Sequence, residues 1–317
     1  MRIAILGATS VIAKDLIIAF SAKGDHELVL FARRPTAVRE WLEQVQLAGA
    51  YVVADFDEFC LKDHFDALIN FVGIGSPLKT ALMGSAIFDI TLDHDKIALN
   101  YLRMHPTCRY IFLSSGAAYM SNFGKPVDSD TVANVDINGL KPQDWYAVAK
   151  LYAECRHRAL RELSIIDIRV FNYFSHTQDI SARFFITDIL RAARDGAVLK
   201  TSGDYMVRDY IHPSDFHQLI EKLLQAEPVN AAVDCYSAAP VNKSALLQGM
   251  QSAIGLRYEV TGNSSVVNAT GNKPYYYSLN RRAADFGYTP RFTSIEGVIH
   301  EARAMFALSA APNGQPG

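Results

Sequence analysis

The first half of the chain is built from five short apolar runs separated by turns and stretches of helical periodicity. This alternation constrains the fold more than any other feature. The runs are "RIAILG", "HELVLFARR", "AYVVADF", "ALINFVGIG" and "RYIFLSSGA", and each reads as a buried strand. Between the first two lies "SVIAKDLIIAFSAKG", whose apolar residues recur at helical spacing up to Gly24. Strands alternating with helices give βαβ units and a parallel sheet, so the expected fold class is α/β, doubly wound. Beyond about Ile168 the pattern loosens into "IDIRVFNYF", a strand, and "SARFFITDILRAARDG", a helix ending near Gly196. The expected organisation is a first domain over 1–167, a smaller mixed α+β region over 168–308 that returns strands to the main sheet, and a disordered tail, "SAAPNGQPG", over 309–317.

With 317 residues the chain can bury a sizeable core. Its net charge of −2 gives no reason to expect nucleic acid or an anionic membrane as partner. Cys60, Cys108, Cys155 and Cys235 lack metal-ligand spacing, so reduced thiols are expected and no metal. No apolar run reaches the roughly 18–20 residues that span a bilayer. The chain opens directly into a strand without a basic leader, and a cytoplasmic protein is expected.

The turn after the first strand, "GATSVIA", has the layout of a phosphate loop of the dinucleotide-binding (Rossmann) type, with Gly7 followed by Ser10 and Ala13 where further glycines would stand. Gly7 supplies the tight turn, and Ser10 is placed to cap the following helix. Ala13 keeps helix and strand close. An ordinary strand–turn–helix would contain the same residues, so the loop gains weight only from its surroundings. The second strand ends in Arg33 and Arg34 with no acid. That suits the 2′-phosphate of NADP(H) better than the ribose hydroxyls of NAD, although a solvated pair of arginines is the plain alternative.

In "DWYAVAKLYAE", Tyr146 and Lys150 lie four residues apart on one helical face. A phenol titrates near pH 10, and a neighbouring ammonium lowers that value toward usefulness as an acid/base. Upstream, Ser114 and Ser115 stand where the fifth strand ends, the side on which open α/β sheets bind ligands.

Taken in order, these features resemble the extended short-chain dehydrogenase/reductase superfamily, the epimerase/dehydratase type acting on nucleotide sugars. The resemblance runs from Met1 to about Phe306. It implies a cofactor site made by Gly7, Thr9, Ser10, Val11 and Ile12 of the loop, by Arg33 and Arg34, by Asp55 and Phe56 of "ADFDEF", by Phe71, Val72 and Gly73 of "INFVG", and by Tyr146 and Lys150. It implies Ser115 as the catalytic serine, with Ser114 as fallback, beside Tyr146 and Lys150. "RVFNYF" resembles a strand whose asparagine, here Asn172, approaches the substrate phosphates. "VRDYIHPSD" is similar to a signature whose arginine, here Arg208, pairs with the diphosphate, while His212 and Asp215 organise the turn. Thr91 stands where that family usually has an asparagine, and His176 reads as a loop histidine. Pairing of the YxxxK helix, through Val148, Leu151, Tyr152 and Cys155, would make a homodimer.

Gly116 and Ala117 follow Ser115, in place of the Asp-Glu pair of one dehydratase subgroup and the cysteine of enzymes that also epimerise C3 and C5. A bare Ser–Tyr–Lys site moves one hydride and one proton. With the two arginines, the expected activity is NADPH-dependent reduction of a nucleotide-linked 4-keto-6-deoxy sugar. The alternatives are a 4-epimerase holding NAD and a non-catalytic NADP-binding sensor.

Overall fold

The computed structural model describes residues 1–73, 82–121, 123–182, 184–262 and 273–310. Seven parallel strands form the central sheet, in the order β3 (Val52–Ala54), β2 (Glu27–Phe31), β1 (Arg2–Leu6), β4 (Ala67–Asn70), β5 (Arg109–Ser115), β6 (Ile165–Val170) and β11 (Ala231–Cys235). The strand order reverses between β1 and β4, which opens a crevice at their carboxyl ends. All five strands expected from the first half of the sequence are present, and two from the second half complete the sheet. The expected division at 167/168 falls inside β6.

Both faces of the sheet are covered, which is why its strands are apolar at nearly every position. One face carries Ile3, Ile5, Leu28, Leu30, Ile69, Ile111 and Ile166 against α1 (Val11–Lys23) and α6 (Pro213–Gln225), through Leu16, Ile17, Phe20, Phe216 and Leu219. The other face carries Leu6, Val29, Leu68, Tyr110 and Phe112 against α3 (Ala86–Met104) and Ala153 of α4 (Trp145–Ala159). Gly24 ends α1 in the left-handed conformation, as a helix-terminating glycine does.

The second region has its own core, in which α5 (Phe185–Arg194), α7 (Lys243–Ile254) and α8 (Ser294–Ala310) meet through Ile189, Leu190, Leu246, Met250, Val298 and Ala302. Short strands join this region to the sheet's carboxyl edge. β7 (Asn172–Tyr173) pairs with β10 (Tyr210–Ile211), and β9 (Val207–Arg208) pairs with β14 (Tyr275–Tyr276). Helix α8 runs to Ala310, two residues into the expected tail, and 311–317 lie outside the described residues. All four cysteines are free. Among the described residues no helix is long and apolar enough to cross a membrane.

One buried polar network ties α3 and α4 to the sheet. His157 of α4 is fully enclosed, with Nδ1 2.6 Å from Asp167 of β6 and Nε2 2.8 Å from Asp95 of α3. Arg158 and Arg156 pair with the remaining oxygens of those carboxylates. Burial by itself would lower the His157 pKa, but the Asp167 charge and the bonds to both carboxylates hold it up at about 9. Because the folded value lies above the unfolded one of about 6.5, this stabilisation is complete below pH 6.5 and disappears as pH rises through 9. His157→Gln is expected to cost about 3 kcal/mol at pH 6.5 and almost nothing of this term at pH 9.5. Chemical denaturation of both proteins at the two pH values measures the gap, and a gap independent of pH would refute a charged His157.

Candidate active site

The turn after β1 is shaped by contact with β4. Gly7 has φ +85°, and a Cβ there would lie 2.9 Å from the Val72 nitrogen and 3.1 Å from the Val72 side chain. Only glycine takes that conformation at that approach without strain. Ala13, wholly buried, keeps α1 close to the sheet. Ser10 occupies the N-cap position of α1, but its hydroxyl makes no capping bond, contrary to the expectation for it. Its carbonyl accepts from Lys14 instead. Thr9 is exposed and Val11 and Ile12 are half-buried, and the first turn of α1 contains no acidic residue. A helix N-terminus that is uncapped and free of acids, behind a glycine turn, fits the pyrophosphate of a dinucleotide.

The other residues expected at a cofactor lie around the same crevice. Arg33 and Arg34 are exposed just beyond β2, without an ion-pair partner among the described residues, and Arg34 starts α2 (Pro35–Gln44). Asp55 caps a short turn, accepting from the Asp57 N–H at 3.3 Å, so its carboxylate already has a structural duty. Phe56 packs edge-on against His94. Phe71 is buried, and the Val72 N–H is fixed by the side-chain Oδ1 of Asn70 at 2.8 Å. Gly73 lies against Lys150, since a Cβ on it would be 3.2 Å from Nζ. Thr91 is turned back onto the Ile87 carbonyl of its own helix.

At the end of β5 the two serines separate into different roles. Ser114 Oγ donates to Glu154 at 2.5 Å, and Glu154 also takes a two-pronged contact from Arg169, so Ser114 is bound into the framework. Ser115 points the other way. Its Oγ accepts the Ala117 N–H at 3.2 Å, which fixes the oxygen and leaves its proton free to donate outward. Facing it are two phenols: Tyr276, 3.5 Å away, and Tyr146, whose pKa burial raises against the downward pull of the nearby Ser115 hydroxyl. Behind Ser115 the next residue must be glycine, because a Cβ on Gly116 would run into the Phe171 ring. The fourth residue after Ser115, Tyr119, is buried and donates to Asp234 at 2.7 Å, away from this cluster.

Lys150 is buried below Tyr146. Its Nζ donates to the Leu113 carbonyl at 2.7 Å and lies 4.3 Å from the centre of the Phe112 ring. Burial brings its pKa down to about 8, against the pull of Asp167, Asp95 and Glu154. The expected lowering of Tyr146 by this ammonium is not what the protein alone displays: burial raises the phenol, and the Ser115 bond is the counterweight. The reason is geometric, because Nζ is committed to a carbonyl and a ring.

Asn172 donates to the Asp209 carbonyl at 3.2 Å, next to the paired strands β7 and β10. Arg208 is 9% exposed and bonds only backbone among the described residues, to the Val207 and Lys273 carbonyls, so its charge lacks a carboxylate. Lys273 lies with its ammonium 4.9 Å from the Tyr276 ring. Burial lowers both pKa values, and Arg208 lowers Lys273 further. Two half-compensated cations beside the phenol pair form a site for an anion. Sequence analysis singled out neither Lys273 nor Tyr276. Their signal, "NKPYYY", sits some 160 residues after Ser115, and only the β9–β14 pairing brings it back. His176 bonds Glu301 at 2.6 Å, and Asp215 accepts the Arg291 and Phe292 N–H groups, so both are structural there.

Residues 3–234 match the model of the NAD dependent epimerase/dehydratase family. No curated protein sequence matches the chain. Among solved structures, the chain is similar to MoeE5 in complex with UDP-glucose and NAD, at 18% identity and TM-score 0.76, covering 98% of this chain and 100% of that one. It is similar to the UDP-glucuronic acid 4-epimerase of Bacillus cereus, in complex with UDP-glucuronic acid and NAD, at 15% identity and TM-score 0.76, covering 97% and 100%. The dTDP-glucose 4,6-dehydratase of Bacillus anthracis, in complex with NAD, is similar at 14% identity and TM-score 0.75, covering 96% of each chain. At such identities the likeness is one of fold.

The two serines make a direct test of the site. Ser115→Ala is expected to lower kcat by about 10²-fold or more, because it removes a fixed donor at the reacting oxygen. Ser114→Ala should leave kcat within a few-fold and cost about 1 kcal/mol of stability. Equal losses of kcat in both variants would contradict the division of roles.

Proposed function

Since this chain belongs to the NAD dependent epimerase/dehydratase family, we propose that it is a nucleotide-sugar 4-epimerase that works with a retained nicotinamide dinucleotide. The observation that carries the reading is the makeup of the site: Ser115 at the end of β5 with the phenols of Tyr146 and Tyr276 facing it, a buried lysine nearby, and Gly116 and Ala117 where a dehydratase of one subgroup would place carboxylates. Such a site suits transfer of one proton with one hydride and disfavours that subgroup's elimination of water. Structures with this fold include 4-epimerases that bind NAD and UDP-sugars, which lends support.

A bound dinucleotide supplies the hydride acceptor and donor. Tyr146 takes the hydroxyl proton from the sugar and returns it, and Ser115 donates a hydrogen bond to the same oxygen. Lys150, next to Gly73, is placed to hold the cofactor's ribose and so to bring its positive charge into play beside Tyr146. Arg208 and Lys273 hold the diphosphate, with Asn172 at the same edge. Tyr276, held edge-on against Phe123 and Phe171, would face the sugar together with Tyr146.

A second reading, NADPH-dependent reduction of a nucleotide-linked 4-keto-6-deoxy sugar, is favoured by Arg33 and Arg34, which are exposed just after β2 with no ion-pair partner among the described residues and would suit a 2′-phosphate. The homodimer belongs to the same proposal: on α4, Tyr152 is 47% exposed and Cys155 is exposed, with Val148 and Leu151 half-buried.

The discriminating experiment identifies the dinucleotide released from the purified protein and follows a panel of nucleotide hexoses and 4-keto sugars by NMR. Epimer formation without net NAD(P)H consumption, reduced about 10²–10⁴-fold by Tyr146→Phe, is the expected outcome. Stoichiometric oxidation of NADPH by a 4-keto sugar, with no epimer from any hexose, would replace the epimerase with the reductase.

A further inference from the structure

Away from the active site, three imidazoles converge on one buried carboxylate. Glu301 of α8 is 5% exposed, and its ion-pair partners among the described residues are histidines only. Its Oε1 lies 2.9 Å from His212 Nε2 and 3.0 Å from His300 Nδ1, and those two nitrogens are 3.0 Å apart. The second oxygen, Oε2, lies 2.6 Å from His176 Nδ1 and also accepts the His176 N–H at 2.9 Å.

We propose that His212, His300 and Glu301 form a binding site for a divalent transition-metal cation, most readily Zn²⁺, with His176 orienting the carboxylate from the far side. Three features carry this. The three ligand atoms make a nearly equilateral triangle with sides of 2.9 to 3.0 Å, close to the ~3.3 Å between neighbouring ligands of a tetrahedral zinc ion with bonds near 2.0–2.1 Å. A cation above that triangle is reached by all three with shifts of a few tenths of an ångström, and His300, 58% exposed, leaves a way in from solvent and room for water as a further ligand.

The second feature is the charge. The buried Glu301 carboxylate has only histidines as ion-pair partners among the described residues, and a divalent cation would add a fixed counter-charge. Third, the support around the ligands is already in place. His212 stacks on Phe292 at 4.1 Å, and its Nδ1 lies 2.8 Å from Ser214 Oγ. On metal binding through Nε2 the ring proton resides on Nδ1, where Ser214 Oγ accepts it in place of the N-cap bond now received from the Ser214 N–H. Gly297, one turn before His300 and Glu301, allows α8 to come this close, since a Cβ there would be 3.3 Å from that of His212.

The site would clamp α8 to the corner after β10 and to the turn after β7, the two segments that carry Arg208 and Asn172 nearby in sequence. Its residues are not those of the proposed hydride and proton transfer, so the metal would be structural.

The test uses the full chain stripped with chelator, then titrated with Zn²⁺ in a thermal melt and with Co²⁺ in visible absorption. The wild type is expected to gain several degrees with Zn²⁺ and to develop d–d bands with Co²⁺. His300→Ala, at an exposed position, should melt within about 2 °C of the metal-free wild type and lose both responses, with affinity at least ~100-fold lower. Ser214→Ala should weaken binding about tenfold. A wild type with no response to either metal, or responses that persist in His300→Ala, would overturn the proposal.

Discussion

The bridge of His157 between Asp95 and Asp167 holds together the three elements on which the active site depends. It fastens α4, which carries Tyr146 and Lys150, both to β6 of the sheet and to α3. The network continues without a gap. Asp95 accepts from the Tyr110 hydroxyl at 3.0 Å, the Asn70 side-chain amide donates to that hydroxyl at 2.9 Å, and the Asn70 Oδ1 receives the Val72 N–H. A chain of polar groups in the dry interior thus runs from α4 to the loop that touches Gly7. Buried charges of this kind are costly unless every partner is present. Here Arg156 and Arg158 take the remaining carboxylate oxygens, while Nε and Nη1 of Arg158 are buried without a hydrogen-bond partner among the described residues. The position of Lys150 against Gly73 follows from where this bridge sets the helix.

The electrostatics of the site follow from the same anchoring. Lys150 feels Asp167 and Asp95, yet burial outweighs them and brings its pKa down to about 8. Its bond to the Leu113 carbonyl keeps it from the phenol in the protein alone. Tyr146 therefore stays protonated, with burial raising its pKa and Ser115 opposing. This arrangement suits a site whose base is armed only when cofactor and substrate are in place, because a dinucleotide next to Gly73 competes for the same ammonium. Tyr276 adds a second phenol to the wall, pushed up to about 12 by burial, and so a neutral hydrogen-bonding group at neutral pH.

Much of this was legible in the residues. Five apolar runs, the glycine turn, and a tyrosine and lysine one helical turn apart are local patterns, and local patterns report local structure. Two kinds of feature were not. The choice between Ser114 and Ser115 depends on which face of β5 each leaves by and on Glu154, 40 residues away, which claims the first. The placement of Tyr276 depends on long-range strand pairing: nothing near "NKPYYY" announces that β14 will lie beside β9 and carry Tyr276 to Ser115. Ser10 shows the opposite error, since a residue of the right type at a helix start need not use its side chain to cap it. His212 was read correctly as a turn organiser, but its proximity to His300 and Glu301 arises from the docking of α8 and has no sequence signature.

The claim on which the account rests is that Tyr146, Ser115 and Lys150 act as one unit that removes a proton from a sugar hydroxyl while its hydride leaves for a bound nicotinamide. The most direct measurement is the near-ultraviolet absorbance of reduced nicotinamide after the dinucleotide-loaded protein is mixed with a nucleotide hexose in a single turnover. Reduced cofactor should form in the wild type, and far more slowly in Tyr146→Phe and Lys150→Met variants that still bind the dinucleotide. Reduction at the same rate in all three proteins would contradict the claim.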